Sequence, residues 1–177
     1  FVNNQNLGRL LQRGFDISAA YTLRGDWLPG RGLRASYQGN IVTSYLIQAN
    51  PTVSAVQCKG TFGATCSSDG TTLVQPAYRH TAGIGVLLDQ GVIQFDWQRI
   101  GKVRSSTVGS TEVIKAQDTF DLSASYDFTD RVTMSAGVYN LFDRNPPRVS
   151  SGGVFNTFPD TYDILGRTIG VSLTAHL

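Results

Sequence analysis

Few residues in this chain have the type and spacing to do covalent chemistry. Asp121 and Asp127 are the nearest thing to a carboxylate pair. On an extended strand they share a face, but six residues hold them about 20 Å apart. A retaining glycosidase needs a far shorter gap, so the two read as solvated polar side chains. Cys58 and Cys66, in the run CKGTFGATC, are the only cysteines, and His80 and His176 the only histidines. A metal site needs more donors than these supply, and the C-x-x-C redox spacing is absent. The cysteines read as a small loop staple formed in an oxidising compartment, with two free thiols as the alternative. Gly83-Ile-Gly85 comes closest to a phosphate-cradling glycine loop, yet it lies inside an alternating segment where small strand residues are the plainer account. Ser105-Ser106 and Ser150-Ser151 have no histidine nearby in sequence. The expectation is no enzyme activity, no cofactor and no bound metal.

The elements that carry these residues are strands. In Phe15–Leu23 one face holds Phe15, Ile17, Ala19, Tyr21 and Leu23, the other Asp16, Ser18, Ala20 and Thr22. Such period-two alternation is the mark of a strand with two unlike faces. After a turn at Arg24–Arg31 broken by Pro29-Gly30, Leu33, Ala35, Tyr37, Gly39 and Ile41 alternate with Arg34, Ser36, Gln38 and Asn40. An irregular stretch from about Ile47 to Ala77 holds both cysteines, Pro51, Ser67-Ser-Asp-Gly70 and Pro76. Alternation resumes at Tyr78–Leu88, turns at Asp89-Gln-Gly91 and continues through Ile93, Phe95 and Trp97. A polar loop follows, from about Gly101 to Asp118. Phe120–Phe128 then alternates with Asp121, Ser123, Ser125 and Asp127, and turns at Thr129-Asp-Arg131 into Val132, Met134, Ala136 and Val138. A last loop, about Asp143 to Thr161, holds Pro146-Pro147 and Gly152-Gly153. The final strand, Tyr162 to Leu177, alternates Ile169, Val171, Leu173, Ala175 and Leu177 against Thr168, Gly170, Ser172, Thr174 and His176. Counting a first strand from about Leu7 gives about seven strands.

Short turns alternate with long loops, which predicts an outer-membrane β-barrel wall with periplasmic turns and extracellular loops. Composition agrees: 16% charged, 41% hydrophobic and 19 glycines suit strands with one apolar and one polar face. No apolar run nears the roughly 20 residues of a spanning helix. A net charge of +2 favours no nucleic acid. The chain opens on the polar run Phe1–Asn6 with no leader. Lipid demands apolar side chains outside, and a wide barrel accepts polar ones within. Tyr21, Trp27, Tyr126 and Phe128 near short turns, and Tyr45, Tyr78, Phe120 and Tyr162 near long loops, are predicted at the two aromatic girdles. If Arg24–Arg31 is periplasmic, both the first and last of seven strands run towards the periplasm. An odd count beginning outside does not make a complete bacterial barrel.

Gly137-Val-Tyr-Asn-Leu-Phe-Asp143, followed by Arg144-Asn-Pro-Pro147, resembles the C-terminal region of TonB-dependent receptors. The resemblance extends from about Thr119 to the end, through Tyr162-Asp163 and Gly166-Arg167. It implies that residues 1–177 are the C-terminal part of a 22-stranded barrel, with the plug, its TonB-binding segment and the earlier strands lying elsewhere in the same or another chain. Leu177 stands where the family commonly ends in an aromatic residue. The implied function is active uptake across the bacterial outer membrane of a scarce nutrient: a ferric siderophore, cobalamin or an oligosaccharide. Arg79, Arg99, Lys102, Arg104, Lys115, Arg144 and Arg148 cluster near predicted loop ends. Of these, Arg79, Arg99, Arg104, Lys115 and Arg144 are candidate contacts for an anionic substrate. A rim of this kind would otherwise meet lipopolysaccharide phosphates or solvent. Two other classes compete: a small complete barrel or passive porin-like channel, and a lipocalin-like binder with an apolar interior.

Overall fold

The computed structural model describes residues 8–25, 28, 30–66, 74–150 and 154–175. Leu7, Trp27, Pro29, the Ser67–Gly70 run, Gly152, Gly153, His176 and Leu177, all named in the sequence reading, lie outside them. The described residues form β1 (Arg9–Leu23), β2 (Gly32–Gln48), β3 (Val56–Gln57), β4 (Thr61–Phe62), β5 (Val74–Gln75), β6 (Tyr78–Leu88), β7 (Gly91–Ile100), β8 (Val103–Ser105), β9 (Val113–Ile114), β10 (Gln117–Thr129), β11 (Val132–Tyr139) and β12 (Thr168–Ala175). One short 3-10 turn spans Ala64–Cys66.

Seven long strands make the wall, in the order β1-β2-β6-β7-β10-β11-β12, every neighbouring pair antiparallel. The pairs joined by short turns, β1–β2, β6–β7 and β10–β11, can only be antiparallel. Apart from the shifts at Arg13/Gly14 and Asp127/Thr129, the register carries each face across the sheet. Ser18, Gln38, Thr81, Gln98 and Thr119 fall in one cross-strand row. Ser125, Ser135 and Ser172 fall in another. Ile84, Phe95, Leu122, Val138 and Ile169 form a row on the opposite face. A one-residue slip in any pairing would have mixed the two. The faces predicted for Phe120–Phe128 and for Asp121–Asp127 are therefore opposite, as expected. Gly83 and Gly85 do structural work in the polar face. A Cβ on Gly83 would stand 2.3 Å from Asp96 Oδ1, and one on Gly85 2.5 Å from Gln94 Oε1. Their bareness lets Gln94 donate to Asp96 across 2.8 Å.

All long connections (49–77, 101–116 and 140–167) leave one end of the wall, and the short turns leave the other. The short end is tied by Arg31 to Asp89 and by Tyr126 Oη to Gln90. At the long end, segments read as irregular contain a second sheet, β5-β4-β8-β9. Its strands are two or three residues long, too short to show a period. Among the described residues β1 and β12 are the two edges of the wall, and the sheet does not close on itself. The final strand is shorter than predicted: it begins at Thr168, and Tyr162 belongs to the preceding loop.

Candidate functional site

Three constructions at the long-loop end gather the residues that sequence singled out. The first is a cap over the polar face. Phe62 (β4), Val103 (β8) and Ile114 (β9) pack with Val149, Phe158 and Tyr162 of the last loop. Thr161, next to Tyr162, lines a cavity of about 580 Å³ together with Asp16, Asn40, Arg79 and Gln98 of the wall. The cap thus folds over the side that carries Asp, Asn and Gln. Asn40 Nδ2 donates to Asp16 Oδ1 at 2.7 Å, and Gln98 Nε2 to Asp121 Oδ2 at 2.7 Å. Arg79, exposed beside them, lines this cavity, as does Arg99.

Cys58 and Cys66 are joined in a disulfide, Cα to Cα 5.5 Å, fully buried against Val42, Tyr45 and Ile47. Here the girdle expectation for Tyr45 is corrected. The β1–β2 register shifts between Arg13 and Gly14, so Ser44 opposes Arg13 while Val42 opposes Gly14. Thr43 is thereby the extra residue of a bulge, which turns the outer half of β2 over. Tyr45 then points to the polar side, under the staple, and is 6% exposed. Tyr162 is corrected likewise: it is 4% exposed in the cap core, its hydroxyl without a partner, and burial pushes its pKa up to about 12.

The second construction is the Asn140–Asp143 run. Asn140 takes a left-handed backbone (φ 52°), as does Asp143 (φ 54°), a conformation that Asn and Asp tolerate best after Gly. The buried Asn140 side chain accepts from Arg144 N (2.7 Å) and donates to Arg144 O (2.9 Å), while its own N–H donates to Asp121 Oδ1 (2.8 Å). Asp143 Oδ1 accepts from Arg167 N at 2.9 Å, and Gly166 beside it has φ 73°. The run ends β11 and sets where β12 starts. Arg144 Nε donates to Gln117 Oε1, which places this guanidinium on the polar side.

The third construction is on the apolar face. Tyr37, Tyr78 and Trp97 surround the buried His80, with ring centroids 4.4–5.6 Å from its imidazole. Tyr37 and Tyr78 share a hydroxyl hydrogen bond of 2.9 Å. Phe120 stacks near Trp97 and meets Phe142 edge-on. Arg99 pairs doubly with Asp118 (2.8 and 2.9 Å), which also accepts from Trp97 Nε1. Tyr78 and Phe120 stand where a girdle was predicted, and Tyr126 and Phe128 meet edge-on at the other end. Tyr37, Trp97 and the ion pair were not foreseen, although Trp97 at the close of an alternating run was a usable signal.

Just beyond this belt opens a groove of about 980 Å³ whose lining includes Tyr78, Arg99, Lys102, Arg104 and Lys115. Val103 and Ile114 oppose each other and are buried in the cap, so Arg104 and Lys115, one residue away, project from the other face of the loop sheet. The five candidate cations are accordingly divided. Arg79 and Arg144 lie on the polar side, Arg104 and Lys115 line the groove on the other, and Arg99 lines both cavities. Among the described residues no cluster of three or more metal-ligating side chains occurs.

An open antiparallel wall with one polar face, one apolar face and all its long loops at one end is a piece of a large β-barrel. The chain matches the family described as TonB dependent receptor-like, beta-barrel, over residues 2–141, and it belongs to that family. It is similar in fold to the ferric enterobactin receptor PfeA from Pseudomonas aeruginosa, mutant Q482A in complex with enterobactin, at 21% identity and a TM-score of 0.56. The PfeA complex with BCV-L6 gives 21% and 0.57. In both, the match covers 92% of this chain and 22% of the receptor chain. Comparison with curated proteins yields no match.

Proposed function

We propose that residues 1–177 are barrel wall of an outer-membrane TonB-dependent transporter, its apolar face to lipid and its polar face to the lumen, plug and passing substrate. The observation that carries this is the register: outside the shifts at Arg13/Gly14 and Asp127/Thr129, seven strands keep polar and apolar rows apart, and among the described residues both edges are left for further strands. Lipid would leave such edges unsatisfied at several kcal/mol per backbone group, so the remaining wall comes from further strands, in the same or another chain. A small self-closed barrel is disfavoured for the same reason. The cargo class is a ferric siderophore: the similar structures are those of a ferric enterobactin receptor, and Arg79 and Arg144 offer cations on the lumen side. Motor coupling through TonB belongs to the plug.

The test is uptake of radiolabelled ferric siderophores by iron-starved cells carrying the full-length gene, its deletion, or a tonB deletion. Accumulation lost in both deletions is expected. Accumulation that persists without TonB would establish a passive channel instead. Arg79→Ala with Arg144→Ala should weaken binding by roughly tenfold, on the scale of one or two exposed charge contacts; unchanged binding removes these two from the substrate path.

A further inference from the structure

We infer that the polar side of the wall carries a site for an organic cation, built on the open face of Tyr139 and the carboxylates of Asp121 and Asp163. The inference rests on the transporter reading, which makes this side the lumen, and deepens it by giving the cargo path a place for an ammonium group.

The ring comes first. Tyr139 closes β11 four residues past Ser135, so it stands on the polar face. Among the described wall residues that face carries one other aromatic ring, Tyr45, which is buried under the disulfide. Tyr139 is 50% exposed. The cross-strand pair Gly137 and Gly170 makes room for it. A Cβ on Gly137 would stand 3.4 Å from the hydroxyl end of the ring, and one on Gly170 3.8 Å from its Cε2. Any side chain longer than alanine's would lift the ring from the wall. With both positions bare, the ring rests against the backbone and leaves its other side to the lumen. Tyr37 leans on Gly39 in the same way on the apolar face, but there His80 stacks on it at 5.6 Å.

Charge comes second. Tyr139 lines a cavity of about 330 Å³ with Gln98, Thr119, Asp121, Asp163 and Thr168, and the lining holds no lysine or arginine. Asp121 Oδ2 accepts from Gln98 Nε2 and Oδ1 from the Asn140 N–H, while Asp163 Oδ1 accepts from Leu165 N. These donors are neutral, so they satisfy oxygens and cancel no charge. Arg144, four residues past Asn140, donates its Nε to Gln117 instead. The face of an aromatic ring is negative, so ring and carboxylates alike attract a cation and repel an anion. A bare metal ion is poorly served, because among the described residues no third acidic or histidine donor joins the two. An alkylammonium group suits both the ring and the carboxylates.

Size and setting come third. The volume stands at the lower end of ligand cavities and takes a headgroup rather than a whole chelate. Gln98 also lines the cavity of about 580 Å³ that holds Arg79. The two cavities adjoin with unlike charge. A cargo lying across both presents an anionic part to Arg79 and a cationic part to Tyr139.

The experiment uses the full-length receptor in mild detergent, with choline as the probe and its N-methyl signal read by saturation-transfer NMR. Binding at millimolar levels is expected, and binding of dimethylbutanol, the uncharged isostere, about tenfold weaker. Tyr139→Leu should weaken choline about threefold, the scale of an exposed cation–π contact. Tyr139→Phe keeps the ring and should bind as wild type. Asp163→Asn keeps an acceptor for Leu165 N and should also weaken choline about threefold. Equal binding of choline and its isostere overturns the site, as does Tyr139→Leu binding like wild type. Displacement of choline by an equal concentration of calcium would make this a metal site and overturns it too. The heat-dependent shift in electrophoretic mobility is read on every sample, and if Tyr139→Leu lacks it, Asp163→Asn decides. Radiolabelled choline is then given to iron-starved cells with and without TonB. TonB-dependent accumulation assigns the site to a free amine, and binding without accumulation assigns it to the cationic end of a larger cargo. Ferric siderophore accumulation that persists without TonB sinks the transporter reading, whereas absent choline binding with that accumulation still TonB-dependent sinks the site alone.

Discussion

The two faces of this wall carry their charge in different company. On the polar face the carboxylates are held by neutral partners: Asp16 by Asn40, Asp121 by Gln98 and the Asn140 N–H, Asp127 by Thr133. On the apolar face the long-loop end carries Arg99, Lys102, Arg104 and Lys115, and among the described residues Arg99 is paired there with Asp118. The polar face answers its carboxylates with amides and hydroxyls and adds the cations Arg79 and Arg144. The contrast says that charge near a loop end is not enough to assign a substrate contact; the side of the wall decides.

The contrast is broken most severely by moving charge across the wall. Leu122 sits mid-strand between Phe95 and Val138 on the apolar face, and Ser123 between Gln94 and Gly137 on the polar face. Leu122→Arg is expected to cost about 2–4 kcal/mol, the worth of a midplane cation facing lipid. Ser123→Arg is expected to stay within about 0.5 kcal/mol, as surface changes do. Urea titration of full-length receptor in vesicles measures both. Equal costs would mean that the faces are wrongly assigned.

Asn140 probes how the cap is hung on the polar side. Asn140→Ala removes both side-chain bonds to the Arg144 backbone and places alanine at φ 52°. The expected loss is about 1–3 kcal/mol, from two stranded backbone groups at a part-buried site. Asn140→Gly relieves the backbone but not the bonds and should recover only a part. Hydrogen exchange at Arg144 N–H reads this locally, and protection equal to wild type would refute the clamp.

The wall was legible because its strands are long and its faces unlike. Tyr78–Leu88 was read to the residue, and the turns at Asp89 and Thr129 fell where proposed. The caps and grooves were not, for reasons of scale. The strands at Thr61–Phe62, Val74–Gln75 and Val113–Ile114 hold two residues each and show no period. The bulge at Thr43 reverses Tyr45 without any change in composition. Alternation tells which residues share a face, yet it cannot carry a face through an irregular loop, so Arg79 and Arg104 looked alike. The family match also covers residues 2–141, most of it upstream of Thr119, where the reading had rested on strand and loop rhythm alone.

The disulfide tests whether the cap stands independently of the wall. Cys58→Ser with Cys66→Ser should cost the loop about 2–3 kcal/mol, chiefly by freeing the eight-residue separation in the opened state. Proteolysis within residues 49–66 should accelerate, while the heat-dependent mobility of the barrel stays as it is. Loss of the mobility shift as well would show that cap and wall fold as one unit.

The smallest expected effect belongs to Tyr162, whose ring completes the cap core while its hydroxyl meets no partner. Tyr162→Phe keeps the ring and removes the stranded group, so at neutral pH the cap should be unchanged or firmer by up to about 1 kcal/mol. Alkali separates the two further. Burial raises the phenol from 10.0 to about 12 in the folded cap. Below 10 both states are protonated and the group adds no pH dependence. As pH rises towards 12 the opened loop ionises and the folded one does not, so the cap loses stability there. The Phe variant lacks this loss. The wild-type-minus-variant absorbance of phenolate should therefore rise near 12 rather than near 10, and a rise near 10 would mean that Tyr162 is open to water.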